Sequence, residues 1–321
     1  MIIMVFAICS NAQFHVPSTK DVVDIKNKTL IVQLIDGDAK FEKKLSKVEL
    51  AQYHDYINTR NNIIKSCFEE YWTLNEKLEF LSPKEVESKI RQGSDRYVIY
   101  YEEWGVNEMR SANVIRKFEG YKLQMKKADK KKPFFEITMP SEILNEADYK
   151  FILHQFEKFI MAGIEGKKRK DKSLYDKEKS LKIIEDKTLV VEKDWLEISE
   201  AEAQEIYGKE LIITDNQEID RIILDGDEEK LYLTNLWSYS KNTFMIAVVE
   251  ASTQDIVNLY SVGGVQFDVL VPTDFIIGIG ESSGTGLERS AVSLISFRTK
   301  FGLGKKDFKY ITSKTAVKMN Y

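Results

Sequence analysis

The residues best suited to chemistry lie toward the end of the chain, in the run GIGESSGTG at 278–286. An apolar strand-like stretch precedes it and a helical pattern follows, so backbone N–H groups and a helix N-terminus could cradle an anion there. Gly278, Gly280, Ser282, Ser283, Gly284 and Thr285 are the candidate ligand-binding residues. The glycine spacing approximates a dinucleotide fingerprint. That fingerprint, however, opens a βα unit and needs an acidic residue about 20 positions on, where this chain has Thr299-Lys300-Phe301. Gly280-Glu281-Ser282-Ser283-Gly284 also fits G-x-S-x-G, with Ser282 as nucleophile. The acid and histidine of such a triad must follow in the chain, and the last histidine is His154. Anion or small-ligand binding is the alternative function the loop retains; hydrolysis is the weaker form of it.

The other reactive residues read as structural. No His-x-Glu or His-Glu-x-x-His spacing occurs among His15, His54 and His154, so no metal-activated water is expected. Asp36-Gly37-Asp38 and Asp225-Gly226-Asp227 do not continue into an oxygen-rich calcium loop and read as turns. Cys67 falls on the apolar side of a long helix, where a thiol is packing. With no converging nucleophile, base and oxyanion donors, the expectation is a protein that is not an enzyme and carries neither cofactor nor metal.

Composition narrows the class. The 321 residues are 43% apolar with 5 Pro and 16 Gly, which excludes low-complexity disorder and leaves room for two domains. Net charge of −4, from 47 basic and 51 acidic residues, supplies no general attraction to nucleic acid. Two basic tracts stand out, KLQMKKADKKK at 122–132 and GKKRKDK at 166–172. Lys126, Lys127, Lys130, Lys131 and Lys132 are expected at a hairpin tip, where weak contact with an anionic glycan or lipid is the minor reading and simple solubility the commoner role.

The start of the chain reads as an export signal. MIIMVFAI is an unbroken apolar run, and Ser10-x-Ala12 sets small residues at −3 and −1 of a cut after Ala12. A basic residue before the run is missing, as in a signal that is truncated. The run is shorter than the roughly 20 residues a spanning helix needs. Export to the periplasm or cell surface, with no transmembrane segment, is the expectation.

Self-comparison exposes a duplication. IKNKTLIV at 25–32 matches IEDKTLVV at 184–191, and 78–104 aligns without gaps to 211–237, pairing Leu78 with Leu211, Glu85 with Glu218, Gly93 with Gly226 and Trp104 with Trp237. Both blocks show a short strand, a helix cap with Glu three residues on (Ser82/Glu85, Asp215/Glu218), an apolar helical stripe and a glycine suited to a left-handed cap. Copy one reads as strand 28–34, helix 46–71, strand 77–81, helix 83–92, strands 96–103, 119–126 and 134–139, and helix 145–161. Copy two reads as its first strand, helix 199–207, strand 210–214, helix 216–224, strands 230–237, 243–251 and 256–261, a short strand at 267–271, strand 274–279 and helix 286–301. A further strand is expected at 310–312. The fold class is α/β with a mixed sheet, as two tandem copies of a β-α-β-α-β-β-β-α sandwich. The expected layout is a signal peptide 1–12, copy one 13–165, a charged linker 166–182 and copy two 183–321.

This order of elements resembles the α/β domain in the amino-terminal part of TolB and in curli-assembly-type envelope lipoproteins. FIIGIGES at 275–282, leading into 287–301, is similar to that family's closing strand, Gly-x-Gly and helix; copy one has Thr138-Met139-Pro140-Ser141 instead. The two-copy exported layout also resembles envelope proteins of Bacteroidetes. The resemblance implies a binding or assembly module working through contacts with envelope proteins, and carries over no functional residue. The aromatic strand residues Tyr97, Tyr100, Tyr101 and Trp104 are the expected contact surface.

Overall fold

The computed structural model describes residues 16–92, 96–111, 114–139, 144–167, 176–238, 243–261, 266–267, 299–300 and 302–312. Copy one comprises α1 (Thr19–Val22), β1 (Leu30–Gln33), α2 (Ala39–Glu42), α3 (Lys47–Tyr71), β2 (Leu78–Leu81), α4 (Pro83–Gln92), β3 (Tyr97–Ser111), β4 (Val114–Lys127), β5 (Phe135–Met139) and α5 (Glu146–Ile164). Copy two comprises α6 (Lys177–Asp186), β6 (Thr188–Glu192), α7 (Glu200–Tyr207), β7 (Leu211–Thr214), α8 (Asn216–Asp225), β8 (Lys230–Ser238), β9 (Thr243–Glu250) and β10 (Ile256–Ser261), then β11 (Gln266–Phe267), β12 (Thr299–Lys300) and α9 (Lys305–Thr312).

The two five-stranded sheets have one topology. Sheet one runs β2-β1-β3-β4-β5 and sheet two β7-β6-β8-β9-β10. In each, the first three strands are parallel and the last two antiparallel. The fold is therefore mixed α/β, with two similar sheet-and-helix units in tandem. Equivalent helices start alike: Ser46 with Glu49 caps α3, and Ser199 with Glu202 caps α7, each as a reciprocal box. The Ser82/Glu85 box also forms, while Asp215 accepts the Glu218 N–H at 2.9 Å.

The gapless alignment fails at the third strand. Leu30 lies opposite Leu78 and Tyr97, whereas Leu189 lies opposite Leu211 and Leu231. Tyr97 thus corresponds to Leu231, and Trp104 to Ser238 rather than Trp237. A strand shifted by one residue would turn its buried set outward. One additional residue between α8 and β8 keeps Leu231 and Leu233 in the core on the α7 side, as Tyr97 and Ile99 are in the core on the α3 side.

Three further expectations change. Residues 310–312 are helical within α9, where Phe308 and Ile311, three apart, are both fully buried. Thr299–Lys300 pairs with Gln266–Phe267 as a strand, so a helix does not extend to 301; the expected strand 274–279 lies outside the described residues. The charged stretch 166–182 ends inside α6, which Asp176 caps and which buries Ile184 in the position that Ile25 takes before β1.

The copies share a core. One face of sheet one packs against α1, α3 and α5 in an apolar cluster that continues into sheet two through Val190, Tyr232, Ala247 and Val249, and into α8 through Ile219, Ile222 and Ile223. The opposite face of sheet two packs on α6, α7 and α9 through Leu189, Leu231, Tyr207 and Phe308. The opposite face of sheet one carries only a small cluster of Ile31, Val98, Ala128 and Val86 under α4.

Candidate interaction surface

The longest strand pair among the described residues is the β3–β4 hairpin, and most of it lies beyond the sheet. Among the described residues, β1 holds β3 only at Tyr97, Val98 and Ile99, and β5 holds β4 only from Tyr121 to Met125. The hairpin nevertheless stays in register from Tyr97 opposite Lys127 to Met109 opposite Ile115, with a bulge before Ser111 meets Val114. In copy two the last described pair of the equivalent hairpin is Ser238 opposite Thr243, with only the four residues 239–242 between them in the sequence. That pair corresponds to Trp104 opposite Gly120, so residues 105–119 are an arm that copy two lacks. Isolated two-stranded ribbons are marginally stable in water, which makes such an arm suited to gaining a partner.

The aromatic residues expected to form the contact surface do not act together. Tyr97 is buried, and its hydroxyl donates to the Asp21 carbonyl at 2.7 Å. The Tyr101 ring meets the buried Tyr149 ring edge-on at 6.1 Å, and burial raises both phenols well above the ordinary range. Tyr100 packs on the small cluster under α4 beneath the Lys126 ammonium, 5.0 Å from its ring. Only Trp104 belongs to the arm's base.

The basic tract divides likewise. Lys126 and Lys127 are in β4 rather than at the tip. Lys127 pairs with Asp24 at 3.2 Å and lies 5.3 Å from the Tyr97 ring, so it serves the fold. Burial opposes ionisation of Asp24, but the Tyr97 and Lys127 hydrogen bonds prevail and lower its pKa. Lys130, paired with Asp129 at 3.3 Å, and the exposed Lys131 and Lys132 make up the β4–β5 turn.

The two carboxylates with large shifts, Asp148 and Asp255, lie in the seam between the copies, on α5 and opposite it. Asn145 caps that helix and also donates to Asp220 of α8 at 2.9 Å. Asp148 accepts the Asn145 N–H at 3.0 Å; burial pushes its carboxyl up to about 7, with the nearby Asp220 charge adding and the Asn145 N–H and Arg60 opposing. Arg60 is itself buried on α3 and donates to the Leu144 carbonyl at 2.6 Å. Farther along, the Lys150 ammonium donates to the Ile223 and Leu224 carbonyls at 2.8 and 2.9 Å, complementing the negative end of α8. Burial would raise Asp255, yet the His154 hydrogen bond at 3.0 Å and the Lys158 ammonium at 2.6 Å hold it well below the carboxylate range. Gln155 donates to the carbonyl of Gln254, whose positive φ of 60° is stabilised by that bond and by Tyr232 donating to its side chain at 2.7 Å. These groups answer one another across the seam; their role is to join two repeats. Sequence reading overlooked Arg60, Asn145, Asp148 and Asp220. The available signal was Asn145-Glu146-Ala147-Asp148 as a capping pattern, and a cation at 60 within the Ile57–Ile64 stripe.

Burial pushes the Cys67 thiol up to about 12, which leaves it protonated packing. His54 is exposed and bonded to Glu42 at 3.0 Å, whereas His154 is half-buried in the seam. Asp38 caps α2, and Gly226 takes the left-handed cap of α8. Gly278, Gly280, Ser282, Ser283, Gly284 and Thr285 lie outside the described residues, as do the expected signal peptide and His15. Among the described residues no three His, Cys, Asp or Glu side chains gather as a metal site, and no helix is long and apolar enough to cross a membrane. No protein-family model, curated protein or solved structure matches the chain significantly.

Proposed function

We propose that this protein is an exported, non-catalytic binding or assembly module of the bacterial cell envelope, acting through protein–protein contacts made by the β3–β4 arm. The observation that carries this reading is the asymmetry of the repeat. Two units with the same strand order differ by an extension at 105–119 that no third strand supports among the described residues. Segments added to a conserved scaffold are where binding function concentrates. The envelope placement rests on the apolar N-terminal run with Ser10-x-Ala12 and on the likeness to TolB and curli-assembly-type domains.

Replacing residues 105–119 by Asn-Gly joins Trp104 to Gly120 through a two-residue hairpin turn. The shortened protein is expected to keep its unfolding midpoint and to lose the proteins captured by the full chain from envelope extracts. Equal capture with and without the arm would refute the reading. Mass spectrometry of the secreted chain tests export separately, with a mature N-terminus at Gln13 as the expected result.

A further inference from the structure

Resting on that reading of the arm, we propose that its occupant is the arm of a second copy of this chain, added edge to edge along β4. β5 covers the outer edge of β4 from Tyr121 onward, which leaves 114–120 paired with β3 alone and their other edge without a strand neighbour among the described residues. Such an edge is a template for a further strand.

The sequence of this edge is self-complementary in one register. Opposed residues of an antiparallel pair share a face, and a two-fold axis normal to the ribbon preserves faces. A symmetric pair therefore sets one residue opposite itself. Within 114–120, the centres that engage two residues on either side are Arg116, Lys117 and Phe118. The first two oppose like charges at the axis, which is destabilising. Centred on Phe118, the register sets Phe118 against Phe118, Lys117 against Glu119 twice, and Arg116 against Gly120 twice. Two opposite-charge pairs thus flank an aromatic pair. The product is a four-stranded ribbon, β3-β4-β4-β3, which removes the weakness of a two-stranded arm.

Sedimentation of the full chain across the micromolar range tests this pairing. The unsubstituted protein is expected to dimerise, with Lys117→Glu and Glu119→Lys each weakening the dimer about tenfold or more by opposing like charges. The double variant K117E/E119K restores the pairs and the dimer. Phe118→Cys, in a C9S background, is expected to form an intermolecular disulfide at the axis. A monomer at every concentration, or a dimer indifferent to the charge swap, overturns the proposal. If that monomer still loses its envelope partners when 105–119 is removed, the binding reading stands and self-pairing alone has failed.

Discussion

The two copies use the same strand order for different ends, and β4 and β9 show how. By register, Lys122, Gln124 and Lys126 of copy one correspond to Met245, Ala247 and Val249 of copy two. In copy two every residue from Met245 to Val249 is buried, because α8 and the neighbouring copy's α5 cover the face that copy one leaves polar. In copy one α3 has 25 residues and α5 has 19, against 8 and 8 for their counterparts α7 and α9. Its long α5 contributes to its own sheet and to the next one. Copy one therefore has the character of a capping repeat, with a polar outer face, an extended hairpin and a helix that closes the junction.

Exchanging one residue between the copies should produce the largest effect. Val249→Lys gives copy two the residue that copy one has at the same register position. It puts an ammonium at a position that is fully buried in the apolar cluster, a loss of several kcal/mol against a net stability of about 5–15 kcal/mol. The reverse exchange, Lys126→Val, removes the contact with the Tyr100 ring and should cost about 0.5–1 kcal/mol. Urea unfolding of both variants measures the contrast. Equal, small losses would show that α5 and α8 do not seal that face.

The junction itself should respond to pH in two opposite senses. The folded Asp148 carboxyl sits above its unfolded value, so its contribution is complete below about pH 4 and is lost as pH rises through about 7. Asp255 is held low, so its contribution is present above about pH 4 and lost in stronger acid. Asp148→Asn keeps an acceptor for the Asn145 N–H and removes the buried charge. It should flatten the decline in stability between pH 4 and 7 and exceed the parent at pH 8 by a few kcal/mol at most. Urea titrations at each pH decide this; an unchanged slope would assign the decline to other groups.

How much of this was legible in the chain depended on range. The caps at Ser82 and Asp215, the helical stripes at Ile57–Phe68 and Tyr149–Ile160, and nearly every described strand could be read because local periodicity and turn chemistry dictate them. Three features were not. The arm reads in sequence as the shorter strands 96–103 and 119–126 because Gly105, Asn107 and Asn113, which fall between them, are residues that strands usually disfavour. The one-residue offset of β8 was hidden because matched glycines suggested a gapless turn, while only pairing with β6 fixes the register. Helix α9 was read as a strand because Tyr310-Ile311-Thr312 has β propensity; burial of Phe308 and Ile311 on one side overrides it. The polar seam joins residues as far apart as Asn145 and Asp220, a proximity that follows only from how α5 meets α8.

The smallest difference expected between the copies is at α3 and α7, where sequence and structure agree closely. Ser46→Ala and Ser199→Ala each remove the acceptor for a first-turn N–H in a reciprocal box, worth about 1 kcal/mol. The two losses should nevertheless separate. Helix α3 is anchored along its 25 residues by Ile57, Ile64, Cys67 and Phe68, far from the cap, so its first turn can fray with little transmitted to the core. Helix α7 has 8 residues, so its anchors Ala203, Ile206 and Tyr207 all lie close to Ser199. Ser199→Ala should therefore approach the full cost, and Ser46→Ala should fall below it. Hydrogen exchange at the Glu49 and Glu202 amides reads the difference directly. Faster exchange confined to α3 after Ser46→Ala, but spreading into β7 and α9 after Ser199→Ala, is the expected pattern. Identical, local responses would mean that the short helix is held by its neighbours as firmly as the long one.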